Sequence, residues 1–262
     1  MKYRYGSDKN PSGMMKVYGC RPGFLEPYGK NCYDDMAVTS VTFTTTHKSI
    51  QQILPPPLEP DRDNPPVVAA VLLEANVFRA LNGENVPYWE LGLWMPAKFR
   101  GVTGMHTSHL YIDGPGGFAS CLLGRDINGI PKETASIERV WNDHQVNASA
   151  VQLGVQRIAI SANCPDEATD AASLMSAMTT VLNVKEIPNC TFTGYDVRKV
   201  IACDWDFLGK PKSARVGTGT VTLGAPFDMI DIVEIGPAYH VVMDCPADTL
   251  NRARELADLL KS

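Results

Sequence analysis

The stretch Leu123-Gly-Arg-Asp-Ile-Asn-Gly-Ile-Pro-Lys-Glu133 sets a lysine directly behind a proline, just beyond the apolar run Phe118 to Leu123 and among few other charges. Lysine is one of the residue types least often buried, so a bare Pro-Lys pair belongs by default to a solvated turn. Here an apolar run leads into the pair, and Lys132 stands where an amine can be held out of water.

Outward from this stretch the chain reads as mostly β. Ser108 to Ile112 and Phe118 to Leu123 are strand-like and separated by the turn-forming run Asp113-Gly-Pro-Gly-Gly117, which together predict a hairpin. Upstream, a strand from Met36 carries Val38, Val41 and Phe43 among threonines, a short helix spans Ser49 to Leu54 until Pro55-Pro56-Pro57 stops it, and Val68 to Leu73 is a further strand. Downstream, Val151 to Ile160, Asp196 to Phe207, Val216 to Leu223 and Ile232 to Met243 are rich in β-branched residues and bounded by Gly, Pro and Asn. Two helices are predicted to interrupt the strands: Asp166 to Leu182, and one after Pro246 with an apolar stripe of Leu250, Ala253, Leu256 and Leu260. The fold class is mainly β with a few helices (α+β). Residues 1–35, rich in Gly, Pro, Tyr and Lys without periodicity, read as an irregular N-terminal arm, and residues 36–262 as a single domain.

Composition excludes several functions. The formal charge is −5 with scattered lysines and arginines, so the basic stripe of a nucleic-acid binder is missing. The start, MKYRYGSD, has no apolar leader, and the run Val67 to Phe78 is too short for a bilayer and carries Glu74, so the expected location is the cytoplasm, with no membrane partner. Seven dispersed cysteines without a C-x-x-C pair fit reduced thiols. No G-x-S-x-G elbow is present to suggest a serine hydrolase. His106 and His109 lie on opposite faces of a strand with no third ligand at recognisable spacing, so neither a metal nor a cofactor is expected.

Gly124-Arg125-Asp126 followed by Gly129-Ile130-Pro131-Lys132 resembles the active-site signature of the acetoacetate decarboxylase family, G-R-E, a few residues, then P-K. Tyr88-Trp89-Glu90, Tyr111-Ile112-Asp113 and Leu54-Pro-Pro-Pro-Leu58-Glu59 fall in the family's order. The resemblance implies a closed, twisted antiparallel β-barrel-like core with helices outside, and self-association into a homo-oligomer. It makes Lys132 the Schiff-base residue, Glu90 the carboxyl group that shuttles protons, and Glu74 a second acid of the pocket. For Arg125 two roles stay open, meeting the substrate carboxylate or serving as a structural ion-pair partner.

The chemistry requires a free amine, and an unperturbed lysine with a pKa of about 10.4 is almost wholly protonated at neutral pH. Acetoacetate decarboxylase is itself the usual example of a lysine activated by desolvation or a neighbouring cation. This chain has Glu133 where that enzyme has a second lysine, so Glu133 must point away from Lys132 and desolvation must do the work. It also has Met36, or a neighbour of it, where the decarboxylases place an arginine. The aldolase-dehydratase branch of the superfamily is the alternative: it resembles this chain in a polar amide four residues before the lysine, here Asn128, and in a late tyrosine, here Tyr239. The expected activity is therefore that of a lyase, decarboxylating an acetoacetate-like β-keto acid or condensing pyruvate or another 2-oxo acid with an aldehyde. The rival from another class is a barrel that binds a small ligand without turning it over.

Overall fold

The computed structural model describes residues 31–78, 85–169, 179–205, 210–246 and 253–261. Its centre is a run of neighbouring strands: β1 (Asn31–Thr44), β3 (Val67–Ala75), β5 (Tyr88–Phe99) and β6 (Val102–Asp113). Helix α1 (His47–Ile53) follows β1, capped by the Thr46 side chain, and the short strands β2 (Glu59–Pro60) and β4 (Val77–Phe78) pair with β5 and β1. Helix α2 (Gly117–Asn128) follows β6, and the chain returns through β7 (Lys132–Thr134) to lie parallel to β6.

The remaining strands are β8 (Ser136–Asn142), β9 (Gln145–Gln152), β10 (Val155–Glu167), β11 (Thr180–Pro188), β12 (Tyr195–Asp204), β13 (Ser213–Leu223), β14 (Glu234–Pro246) and β15 (Ala253–Asp258). They extend the sheet in the order β15-β12-β11-β6-β5-β3-β1-β14-β13-β10-β9-β8. The mainly β class is thus observed, as a large mixed sheet with two helices among the described residues. Both β7 and β11 run parallel to β6, which departs from a purely antiparallel core, and within the described residues no ladder joins β8 to β15.

Four local expectations are corrected. Phe118 to Leu123 is not the second arm of a hairpin but the first half of α2. Its residues, Phe-Ala-Ser-Cys-Leu-Leu, include no β-branched side chain, and the helix closes on Gly129 in the left-handed conformation (φ 68°), a position suited to glycine. Val151 to Ile160 is two strands, because Leu153 and Gly154 take positive φ (53° and 76°) and form the two-residue turn between β9 and β10. The helix expected over Asp166 to Leu182 meets strand at both ends, in β10 and β11, while 170–178 lie outside the described residues. Ala253 and Leu256, expected on a C-terminal helix, lie in β15, where pairing with β12 outweighs helical propensity; Leu250 lies outside the described residues. Of the N-terminal arm, only Asn31 to Asp35 is described, and it begins β1.

Strand alternation sends neighbouring side chains into two apolar clusters, one on each face of the central strands. Val68, Ala70 and Leu72 enter one with Leu91 and Tyr111; Ala69, Val71 and Ala75 enter the other with Tyr88, Leu110 and Ile112. The pairing of β5 with β6 slips between Leu91 and Leu93, beside His109 at φ 42°. Gly92 is required there, since a Cβ would stand 2.6 Å from Leu110 Cδ2 and 2.9 Å from the His109 carbonyl oxygen. This bulge turns Leu110 and Ile112 toward the face that α2 covers.

Buried His106, its Nδ1 bonded to the Leu182 carbonyl at 3.0 Å, has its pKa lowered from 6.5 to about 4, chiefly because burial disfavours the imidazolium. The unfolded chain then takes up this proton before the folded one does. Stability conferred above pH 6.5 is expected to fall as the pH drops toward 4, by ~3 kcal/mol in all. Denaturant titrations across that range check it, and His106→Gln should flatten the dependence.

Candidate active site

Residues Ser120 and Gly124 stand one helical turn apart on α2, and the side chain of Lys132, the first residue of β7, runs beneath them. A Cβ on Gly124 would stand 2.5 Å from Lys132 Cδ and 2.6 Å from Cε, so the glycine of the Gly-Arg-Asp run is what lets the lysine through. Gly124→Ala is accordingly expected to displace the amine and to slow, by about 10²-fold, the adduct formation that the resemblance implies for Lys132. The overpacking should also cost about 1–3 kcal/mol of stability. A kinetic trapping assay and a denaturant melt measure the two effects.

The Lys132 amine reaches Glu90 on β5, donating to Oε1 at 2.5 Å, and it donates to Ser120 Oγ at 3.0 Å. All three residues are buried, with relative exposures of 6% for Lys132, 5% for Glu90 and 3% for Ser120. The pair Ile112↔Glu90 and the pair Leu110↔Lys132 set the carboxylate and the amine on adjacent positions of one face. Around the amine, Tyr88 offers its ring with the centroid 5.5 Å from Nζ, and its hydroxyl bonds that of Tyr33 at 2.9 Å. Tyr33 stacks on Phe78, which meets Tyr88 edge-on, so the aromatic side of the site is a packed wall. Buried Cys121 donates to the Lys132 carbonyl oxygen at 3.2 Å, and burial pushes its thiol pKa up.

Lys132 and Glu90 are thus brought together. Glu133, the next residue along β7, turns to the other face, where it accepts from Gln152 Nε2 at 2.7 Å and lies 3.7 Å from His109 Nδ1. Met36 is buried in the apolar cluster that holds Tyr88 and Ile112. Glu74 lies across the sheet, opposite Trp89 rather than Glu90. Arg139 Nε donates to its Oε1 at 2.7 Å and Trp141 Nε1 to its Oε2 at 3.1 Å, while the Arg139 guanidinium stacks 3.7 Å from the Trp89 ring centroid. Arg125 is on the exposed side of α2, 3.7 Å from Asp126. Asn128, the last residue of α2, is buried, and its Oδ1 has no hydrogen-bond partner among the described residues. Tyr239 is buried in β14 on the cluster face that also holds Tyr88.

The sequence left Ser120 unremarked and marked Tyr88 only within Tyr88-Trp89-Glu90, without a role. A role for Tyr88 was within reach, because a residue two before Glu90 on a strand shares its face. Ser120 required recognising α2 as a helix, where it falls one turn before Gly124.

The family model for acetoacetate decarboxylase matches residues 21–256. The chain belongs to the acetoacetate decarboxylase family. Among solved structures, acetoacetate decarboxylase from Legionella pneumophila is similar at 22% identity and a TM-score of 0.74, over 89% of this chain and 90% of that one. Another acetoacetate decarboxylase structure gives 18% identity and a TM-score of 0.72, over 89% and 92%. The enduracididine biosynthesis enzyme MppR, complexed with the condensation product of pyruvate and imidazole 4-carboxaldehyde, gives 16% and 0.68, over 86% and 88%. No curated protein matches the chain. Among the described residues no group of three or more His, Cys, Asp or Glu is placed to hold a metal ion, and no helix is long and apolar enough to cross a membrane.

Proposed function

We propose that this chain is a Schiff-base-forming lyase that decarboxylates an acetoacetate-like β-keto acid through an imine on Lys132. The observation that carries the reading is the buried contact of 2.5 Å between the Lys132 amine and the Glu90 carboxylate. A buried amine and carboxylate in direct contact can pass one proton between them. Its transfer to Glu90 turns an ion pair into a free amine and a neutral acid, and a site poor in water offsets that loss of charge, because ions are costly to keep there.

The amine then attacks the keto carbon, and the former carbonyl oxygen leaves as water with protons supplied within the site. The cationic imine nitrogen draws in the electron pair of the bond to the carboxylate, carbon dioxide departs, and the enamine takes a proton on carbon, for which Glu90 is placed once it has regained from solvent the proton it gave to the departing water. Leu110 and Ile112 on the same face favour this direction, since a carboxylate beside apolar side chains gains by becoming neutral carbon dioxide. Tyr239, buried on the cluster face that holds Tyr88, is the group we assign to holding the substrate's polar end, with the Tyr88 ring facing the iminium charge.

A specific observation favours the second reading, aldol condensation of pyruvate or another 2-oxo acid with an aldehyde. An aldol adduct carries a new hydroxyl, and the unpartnered acceptor on buried Asn128 suits it.

The test is intact-mass detection of a borohydride-reduced adduct, with acetoacetate and pyruvate offered separately, together with carbon dioxide release from acetoacetate. Adduct with acetoacetate and release of carbon dioxide are expected. Adduct with pyruvate alone selects the condensation reading, and no adduct with either sinks both in favour of a binding protein.

A further inference from the structure

We propose that Ser120 is a further catalytic residue, relaying a proton from nitrogen to oxygen while the imine is made. The proposal rests on the Schiff-base reading of Lys132. A helical serine commonly returns its hydroxyl hydrogen to a carbonyl one turn earlier. Ser120 instead accepts from Lys132 Nζ at 3.0 Å, and among the described residues its own hydrogen has no acceptor. It is 3% exposed, so bulk water is a poor substitute. A buried hydroxyl hydrogen left over beside the attacking nitrogen is matched to an oxygen that arrives with the substrate.

When the free amine adds to a ketone, the nitrogen–carbon bond forms and the carbonyl π pair moves onto oxygen, giving a cationic nitrogen and an anionic oxygen on one carbon. Direct transfer of the proton between them passes through a strained four-membered ring. With Ser120 between, the N–H proton goes to Oγ as the Oγ–H proton goes to the alkoxide, through a relaxed six-membered ring. The serine ends unchanged and the carbinolamine is neutral. The hydroxyl then leaves as water, taking a proton from the Glu90 acid, while the nitrogen lone pair closes the imine. Ser120 and Glu90 divide the work: one neutralises the first adduct, the other discharges the leaving group. Gly124 holds the lysine chain in the groove that brings Nζ to Ser120.

The experiment is single-turnover trapping with acetoacetate and with pyruvate, following the growth of the cyanoborohydride-reduced adduct in wild type, Ser120→Ala and Ser120→Cys. Ser120→Ala should form the adduct about 10²-fold more slowly, yet reach the same final amount, with a solvent deuterium isotope effect on this step that differs from wild type. A serine that only packs α2 against β7 would leave that isotope effect unmoved. Equal adduct rates in wild type and Ser120→Ala overturn the proposal while leaving Lys132's role standing. No adduct in wild type overturns the Schiff-base reading and Ser120's role with it. If Ser120→Ala does not fold, the near-isosteric Ser120→Cys carries the test: a slowed rate at full final adduct supports the relay, and an unchanged rate overturns it.

Discussion

Lys132→Ala is expected to yield no reducible adduct with any oxo acid and to lower turnover by on the order of 10⁴-fold or more, since the covalent route disappears with its nucleophile. The substitution also strands Glu90, whose Oε1 accepts from the lost amine at 2.5 Å and which is 5% exposed. A buried carboxylate deprived of its cation takes up a proton rather than remain charged, so the fold survives the change at moderate cost. Lys132→Met separates the two effects, because it keeps an aliphatic chain beneath Gly124 and loses only the amine. Both variants should be equally inactive in the trapping and carbon dioxide assays, with Lys132→Met the more resistant to denaturant. Activity in either within tenfold of wild type would move the chemistry to another residue.

The two residues that meet at the candidate site were legible through resemblance more than through local physics. Lys132 stands out because Gly124-Arg125-Asp126 and Pro131-Lys132 resemble the family's signature, and Glu90 because Tyr88-Trp89-Glu90 falls in the family's order. The strands were legible where valines and other apolar residues run together, as in Val67–Ala75. The helix α2 was not, since Gly114, Gly116 and Gly117 look like a hairpin turn; yet a Cβ on Gly114 would stand 3.0 Å from the Pro87 carbonyl oxygen, so close packing against the start of β5 is one demand met by a glycine there. What lies far apart in sequence was also out of reach. Glu74 reads as a pocket acid until Arg139 and Trp141 arrive from β8 to bind it on the opposite face, and no local pattern around Glu74 encodes those partners. The strand β15 was missed for the same reason: its partner on β12 is distant, and its own residues Ala, Arg, Glu and Leu favour helix.

Glu90→Gln is the sharper test of how the site works, because it preserves shape and removes only the capacity to take a proton. The glutamine can still accept a hydrogen bond from Lys132, so the amine stays near Ser120 and Tyr88, but the 2.5 Å contact no longer moves a proton from nitrogen to oxygen. Without that transfer the amine is not freed, the departing water lacks its acid, and the enamine left by carbon dioxide has no donor aimed at carbon. General acid–base groups of this kind contribute typically about 10²–10⁴-fold, and the same residue serves at more than one step, so kcat should fall toward the upper end of that range. A ketone lodged against the apolar and aromatic walls would owe little of its binding to Glu90, and KM should therefore change much less than kcat. Two measurements decide it, steady-state carbon dioxide release and the single-turnover adduct rate. Loss in both places Glu90 before imine formation as well as after it; loss in release with an unchanged adduct rate confines Glu90 to protonating carbon. A variant that keeps kcat within about fivefold of wild type would show that Glu90 only holds the lysine in place, since that is far short of the loss expected for a proton-transfer group.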